Sequence, residues 1–233
     1  MLLRSREVRR AQCARSSGPD ESRRGAVVSH GVVPTQVARR TRLGLAPIAR
    51  RAARLGISAN VVTLAGGGLT IIGAGLLAAG MPLGALVVLA LGTLADTLDG
   101  QIAKAAGGGT TFGAFLDSTI DRVSDSALFV GTALLAVTTA QAALLWWALV
   151  ALVVSLLVPY VRAKAESLGA SATVGPAPRE GRIVIFLLGL AAWAFFGLFL
   201  AFVAAVLVVA LLATVTLVIR VVHVGRQLST KGR

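Results

Sequence analysis

The sequence predicts an all-α integral membrane protein: a bundle of six transmembrane helices preceded by an amphipathic interfacial helix. Three observations carry that prediction. Of 233 residues, 56% are apolar and 14% charged, whereas soluble domains sit nearer half apolar and a quarter charged. Apolar segments of about 20 residues, the length of one bilayer crossing, recur from residue 60 onward. Basic residues concentrate before the first of these segments and at alternate segment ends. That placement makes the formal charge of +13 a membrane-side charge rather than a nucleic-acid footprint. The single cysteine, Cys13, excludes a disulfide framework. With only His30 and His223, a Cys/His zinc site is excluded too.

Residues 1–40 are rich in Arg, Ser, Gly and Pro without an apolar run, and are expected to be disordered. Over residues 41–57 the pattern changes. Leu45, Ile48, Ala52 and Leu55 recur at three- and four-residue spacing with Arg50, Arg51 and Arg54 between them, and Pro47 suits a first turn. This is the expected interfacial helix. A transmembrane domain spans residues 58–228. Its first segment runs from about Asn60 to Ala79 and the second from Leu83 to Ala105. The third runs from Thr111 to Val137 and the fourth from Gln141 to Leu168. The stretch from Ile183 to Ile219 exceeds one crossing and is divided near Gly197. Lys104, Arg162, Lys164, Arg179, Arg182, Arg220 and Arg226 share one end of this alternating path, while the turns at Met81, Thr139 and Gly197 are uncharged. The positive-inside rule then puts both termini on the cytoplasmic side of the cell membrane.

Asp96, Asp99, Asp117, Asp121 and Asp125 lie in the second and third segments. A carboxylate at the bilayer centre costs ~2.5–3.5 kcal/mol on insertion scales, so five need compensation. Asp96 and Asp99 are i,i+3 on one helix, and the other three are i,i+4,i+8 on the next. The short connection 106–110 makes the two helices expected antiparallel neighbours, with the acids facing across a seam at the cytoplasmic end. Like charges so close call for cations, and oxygen ligands without His or Cys favour Mg²⁺, Mn²⁺ or Ca²⁺. Asp125 has a structural reading as a partner of Arg122, one turn earlier.

These residues carry a family resemblance. Asp96-Thr-Leu-Asp99-Gly100-Gln-Ile-Ala103-Lys104, then Gly113, Asp117 and Asp121, resembles the CDP-alcohol phosphotransferase signature D-x-x-D-G-x-x-A-R-x8-G-x3-D-x3-D. Every fixed position matches except the arginine, which is Lys104 here. The resemblance implies a two-metal site (Mg²⁺, with Mn²⁺ an alternative) on Asp96, Asp99, Asp117 and Asp121, with Asp121 also the catalytic base. It implies a nucleotide site from Asn60, Thr63, Asp99, Gly100, Lys104 and Gly113, a CDP-alcohol donor, release of CMP, and a homodimer. Gly100 and Gly113 have a second reading as helix-packing glycines, and Asn60 as a helix cap. Lys104 meets a phosphate as a point charge without the bidentate fork of Arg.

Within that family, the run from Gly107 to Asp125 and Tyr160-Val-Arg162-Ala-Lys164-Ala-Glu166 resemble the actinobacterial phosphatidylinositol phosphate synthases. Arg179 and Arg182 match that group's paired arginines, although Gly181 stands where an acid is expected. The likeness implies CDP-diacylglycerol as donor and inositol 1-phosphate as acceptor, with Arg162, Lys164, Arg179 and Arg182 holding the acceptor's phosphate. The same bases have a plainer reading as membrane-interface anchors. Two alternatives stand beside this function. One is a phosphatidylglycerophosphate synthase using glycerol 3-phosphate. The other is a cation transporter, which would place acids along a path through the bilayer rather than at one end.

Overall fold

The computed structural model describes residues 35–231, with side chains from residue 45 to 230. Among the described residues the protein is all-helical. Seven helices follow in order: α1 (Thr35–Arg54), α2 (Ala59–Ala78), α3 (Pro82–Ala105), α4 (Thr111–Thr138), α5 (Ala142–Ser167), α6 (Arg179–Phe196) and α7 (Phe199–Lys231).

Local chemistry sets the boundaries. Ser58 caps α2 by accepting from the Val61 N–H at 3.4 Å. Thr110 caps α4 by accepting from the Gly113 N–H at 2.9 Å. Pro82 opens α3, where its missing N–H leaves no unmet bond. The long apolar stretch divides at Gly197, which ends α6 in the left-handed region at φ 67°.

Among the described residues, four helices are long and apolar enough to cross a membrane: α2, α3, α5 and α7. The other two ring helices carry more charges: Asp117, Asp121, Arg122 and Asp125 on α4, and Arg179, Glu180 and Arg182 on α6.

The segment expected to lie in the interface differs from expectation. Its helix begins at Thr35, inside the stretch expected to be disordered, and places Pro47 in the helix interior rather than the first turn. The rest of that stretch, residues 1–34, lies outside the described residues. α1 packs on α3 and buries Ala49, while Ile48 and Leu55 stay exposed beside Arg50, Arg51 and Arg54.

The six longer-range helices form a ring, α2–α4–α5–α7–α6–α3, closed by the packing of α3 on α2. This corrects the expected seam. α3 and α4, though joined by a short loop, bring no Cα atoms within 8 Å of each other, and α2 packs against both. Small residues permit that wedge. A Cβ on Gly66 of α2 would lie 3.1 Å from the Ala95 Cβ and 3.3 Å from the Gly92 carbonyl, both on α3. Gly131 of α4 is closer still: a Cβ there would overlap the backbone carbonyl of Ala74 on α2.

One end of the ring is filled by Leu77, Leu89, Leu135, Leu144, Phe186, Leu190, Phe202 and Val206. Phe186 stands edge-on to Phe202 at 5.3 Å and to Phe129 at 6.2 Å. The other end stays open, and the five aspartates of α3 and α4 lie there.

Candidate active site

Asp96, Asp99 and Asp117 each present a carboxylate oxygen, and these oxygens all lie within 4.8 Å of one another. The helices that carry them diverge, so the carboxylates meet across a gap rather than a packed seam. Asp99 is the most confined at 5% exposure. Thr63 of α2 donates its hydroxyl to Asp99 Oδ2 at 2.7 Å, and the Gly100 N–H donates to Oδ1. Thr63 is thus wedged between the helices as the residue that orients Asp99. An all-carboxylate set suits a hard divalent cation with oxygen bonds of ~2.0–2.6 Å, reached by small side-chain movements.

Asp121 and Asp125 continue the α4 stripe and meet Arg179 at the start of α6. Its NH1 lies 2.8 Å from Asp121 and 3.3 Å from Asp96, and its Nε donates to Asp125 at 3.0 Å. Arg122 reaches Asp121 at 3.7 Å. Arg122 is therefore not the partner recorded for Asp125; Arg179, 54 residues away, is.

Two cavities meet at the acids. The larger, about 640 Å³, is lined by the four signature aspartates and by Lys104, Arg122, Arg162, Arg179, Arg182 and Arg220. The smaller, about 320 Å³, is lined by Asn60, Thr63, Gly113 and the α3–α4 loop. Asp99, Gly100 and Asp117 line both. The metal-type cluster thus sits on the wall between a basic chamber and a more apolar one.

The glycine readings separate here. A Cβ on Gly100 would meet nothing within 4 Å, so this residue is not a packing glycine and leaves room at the cavity junction. A Cβ on Gly113 would come within 3.0 Å of Asn60 Oδ1 and Thr110 Oγ1, so Gly113 lets the N-termini of α2 and α4 approach. Ser58, not Asn60, caps α2, which leaves the Asn60 side chain on the smaller cavity.

The expected site residues do not all converge. Lys104, grouped with the nucleotide set, lies on the larger cavity. Arg162 lines that cavity while pairing with Glu166 at 2.8 Å. Lys164 is exposed and lines neither cavity. Arg182 is 7% exposed, donates to Ser155 at 3.1 Å and keeps its Nε without a partner. Sequence reasoning missed Ser155, Arg122 and Arg220 as cavity residues. Arg220 read as a membrane-side charge, yet it donates to the Val174 carbonyl at 3.0 Å and the Val158 carbonyl at 3.1 Å. Ser155 carried one signal, a hydroxyl inside an apolar helix.

Comparison with known proteins agrees with the site. Residues 56–226 match the sequence profile described as CDP-alcohol phosphatidyltransferase. The chain is 40% identical over 160 residues to the phosphatidylinositol phosphate synthase of Mycolicibacterium smegmatis, covering 61% of this chain and 65% of that protein. The match thus spans just under two thirds of that relative's length. The crystal structure of Mycobacterium tuberculosis phosphatidylinositol phosphate synthase with CDP-DAG bound superposes with a TM-score of 0.71 at 34% identity, over 77% of this chain and 92% of that one. The same enzyme in complex with manganese and citrate gives 0.71 at 33% identity, over 77% and 88%. With the profile running through every signature aspartate, the chain belongs to the CDP-alcohol phosphatidyltransferase family.

Proposed function

We propose that this protein is a membrane phospholipid synthase. It transfers a phosphatidyl group from CDP-diacylglycerol to inositol 1-phosphate, giving phosphatidylinositol phosphate and CMP. The observation that carries this reading is the position of Asp99 and Asp117 on the wall shared by two cavities, with six basic residues lining the larger one. The similar mycobacterial enzymes are named for that product, and the Mycobacterium tuberculosis one was crystallised with CDP-DAG and with manganese and citrate, which supports the same assignment.

Asn60, Gly100 and Gly113 border the space for the cytidine nucleotide, and Thr63 keeps Asp99 turned toward the junction. Asp96, Asp99, Asp117 and Asp121 would hold two divalent cations, Mg²⁺ or Mn²⁺. When bound, the metal supplies charge neutralisation of the pyrophosphate and of the leaving phosphate. The acceptor enters the larger cavity, its phosphate facing Arg162, Arg179 and Arg182. Asp121 takes the proton of the attacking hydroxyl as the new oxygen–phosphorus bond forms and the bond to CMP breaks.

In this reading residues 58–228 form the catalytic domain. The six ring helices all cross the bilayer, α1 lies in the interface with Ile48 and Leu55 toward lipid, and the open end of the ring is cytoplasmic. The homodimer implied by the family resemblance belongs to the same reading. Glycerol 3-phosphate is the competing acceptor, since it too brings a phosphate to the basic chamber.

The test is CMP release by the purified protein supplied with CDP-diacylglycerol and Mg²⁺. Release on adding inositol 1-phosphate, abolished by a chelator, is expected. CMP release with no phosphorylated alcohol at all would refute the reading.

A further inference from the structure

The connection between α5 and α6, residues 168–178, has no regular secondary structure. Yet Thr173, Gly175, Ala177 and Pro178 line the larger cavity, and the next residue is Arg179. What holds this stretch is one stripe of α7: Thr216, Arg220, Val224, Gln227 and Leu228, spaced by three and four residues.

The loop lies along that stripe in order. Gly175, at φ +135°, sits against Thr216, where a Cβ would come 2.6 Å from its methyl group. Arg220 donates to the Val174 carbonyl at 3.0 Å. Ala170 and Ala172 are buried against Val224 and Leu228. Between them, Gln227 pairs with the backbone of Ser171 at both ends of its amide: Oε1 accepts from the Ser171 N–H at 3.0 Å, and Nε2 donates to the Ser171 carbonyl at 3.0 Å. Gln227 Nε2 also lies 2.6 Å from His223 Nε2. A single side chain thus meets both polar groups of a residue 56 positions away, groups that no helix or strand ladder would otherwise pair.

We propose that Gln227 is a positioning residue for the acceptor. By fastening the 168–178 loop to α7 it sets one wall of the larger cavity and the entry into α6, which carries Arg179 and Arg182. The inference rests on reading the larger cavity as the acceptor site. Gln227 does not line that cavity and acts only through the loop.

The test uses the full chain with Cys13 replaced and Ala172→Cys introduced as a reporter, since Ala172 is fully buried beneath the clamp. In a Gln227→Leu background, labelling of this cysteine by a water-soluble maleimide should accelerate about tenfold or more. In the chain without the reporter, Gln227→Leu should raise the KM for inositol 1-phosphate roughly three- to thirtyfold, the effect of losing one or two hydrogen bonds. The KM for CDP-diacylglycerol and kcat should stay unchanged. Gln227→Glu keeps the acceptor for the Ser171 N–H and loses the donor, so it should fall between. Unchanged labelling would overturn the clamp. A rise in both Michaelis constants together would overturn the acceptor-specific role and mark Gln227 as merely structural. If the wild-type protein used no phosphorylated acceptor, the functional reading would fail on its own, and labelling would still decide the clamp.

Discussion

The Arg179 guanidinium lies 2.8 Å from the Asp121 carboxylate, and the same side chain reaches Asp125 at 3.0 Å and Asp96 at 3.3 Å. An arginine from the start of α6 thereby supplies positive charge to acids on α3 and α4, two helices whose backbones do not pack together. It is the internal counter-charge of the acid cluster proposed to hold cations.

Replacing Arg179 with Gln should therefore destabilise the metal-free protein. A fully buried pair broken on one side costs ~3–5 kcal/mol; at 22% exposure for Arg179 the loss should be about 1–3 kcal/mol. Added Mn²⁺ should restore more melting temperature in the variant than in the wild type, because the cation replaces the missing charge. Thermal denaturation with and without Mn²⁺ measures both effects. Equal Mn²⁺ shifts in the two proteins would show that Arg179 does not balance the metal ligands.

Asp96→Asn, Asp99→Asn, Asp117→Asn and Asp121→Asn each keep the side chain's shape and remove its charge. Each should lower turnover by about a thousandfold or more, equivalent to ~4 kcal/mol of lost transition-state stabilisation. Asp99→Asn and Asp117→Asn should also weaken Mn²⁺ binding, read directly by electron paramagnetic resonance. Near-normal turnover in Asp121→Asn would remove its role as base.

Gly100→Ala separates fold from function at one atom. The added methyl meets nothing within 4 Å, and Ala is favoured over Gly in a helix by ~1 kcal/mol. The variant should be at least as stable as the wild type, with a raised KM for CDP-diacylglycerol. Lower stability with an unchanged donor KM would make this a packing glycine after all.

Much of this arrangement was legible in the residues, and the limits have physical causes. The starts of α2, α3 and α4 and the break between α6 and α7 follow from Ser58, Pro82, Thr110 and Gly197, which act within a turn or two of chain. The four signature aspartates come together because helical periodicity puts each pair on one face. The start of α1 was not readable: Pro34 directly precedes Thr35, but the Arg-rich residues that follow carry no apolar periodicity to mark a helix. Loop length made α3 and α4 look like neighbours, yet packing chose α2 as the partner of both, through Gly66 and Gly131. The long-range partners of Arg179, Arg220 and Gln227 are 46 to 83 residues distant, and no local pattern encodes such meetings. Lys164 read like Arg162, two positions away, but on a helix i and i+2 face different ways.

Single cysteines near Gly108 and Ser171 should react with an impermeant reagent only from the cytoplasmic side. One at Thr139 should react only from outside. Labelling of Gly108 and Thr139 from the same face would contradict a bilayer-crossing α4, and with it six crossings.

The most direct measurement is a competition in one vessel. Purified protein receives CDP-diacylglycerol, Mg²⁺ and equal amounts of inositol 1-phosphate, glycerol 3-phosphate and free inositol, and the lipid products are identified by mass spectrometry. Phosphatidylinositol phosphate is the expected dominant product, formed one for one with CMP. Phosphatidylinositol as the main product would contradict a basic chamber built for a phosphorylated acceptor, and phosphatidylglycerophosphate would reassign the chamber to glycerol 3-phosphate.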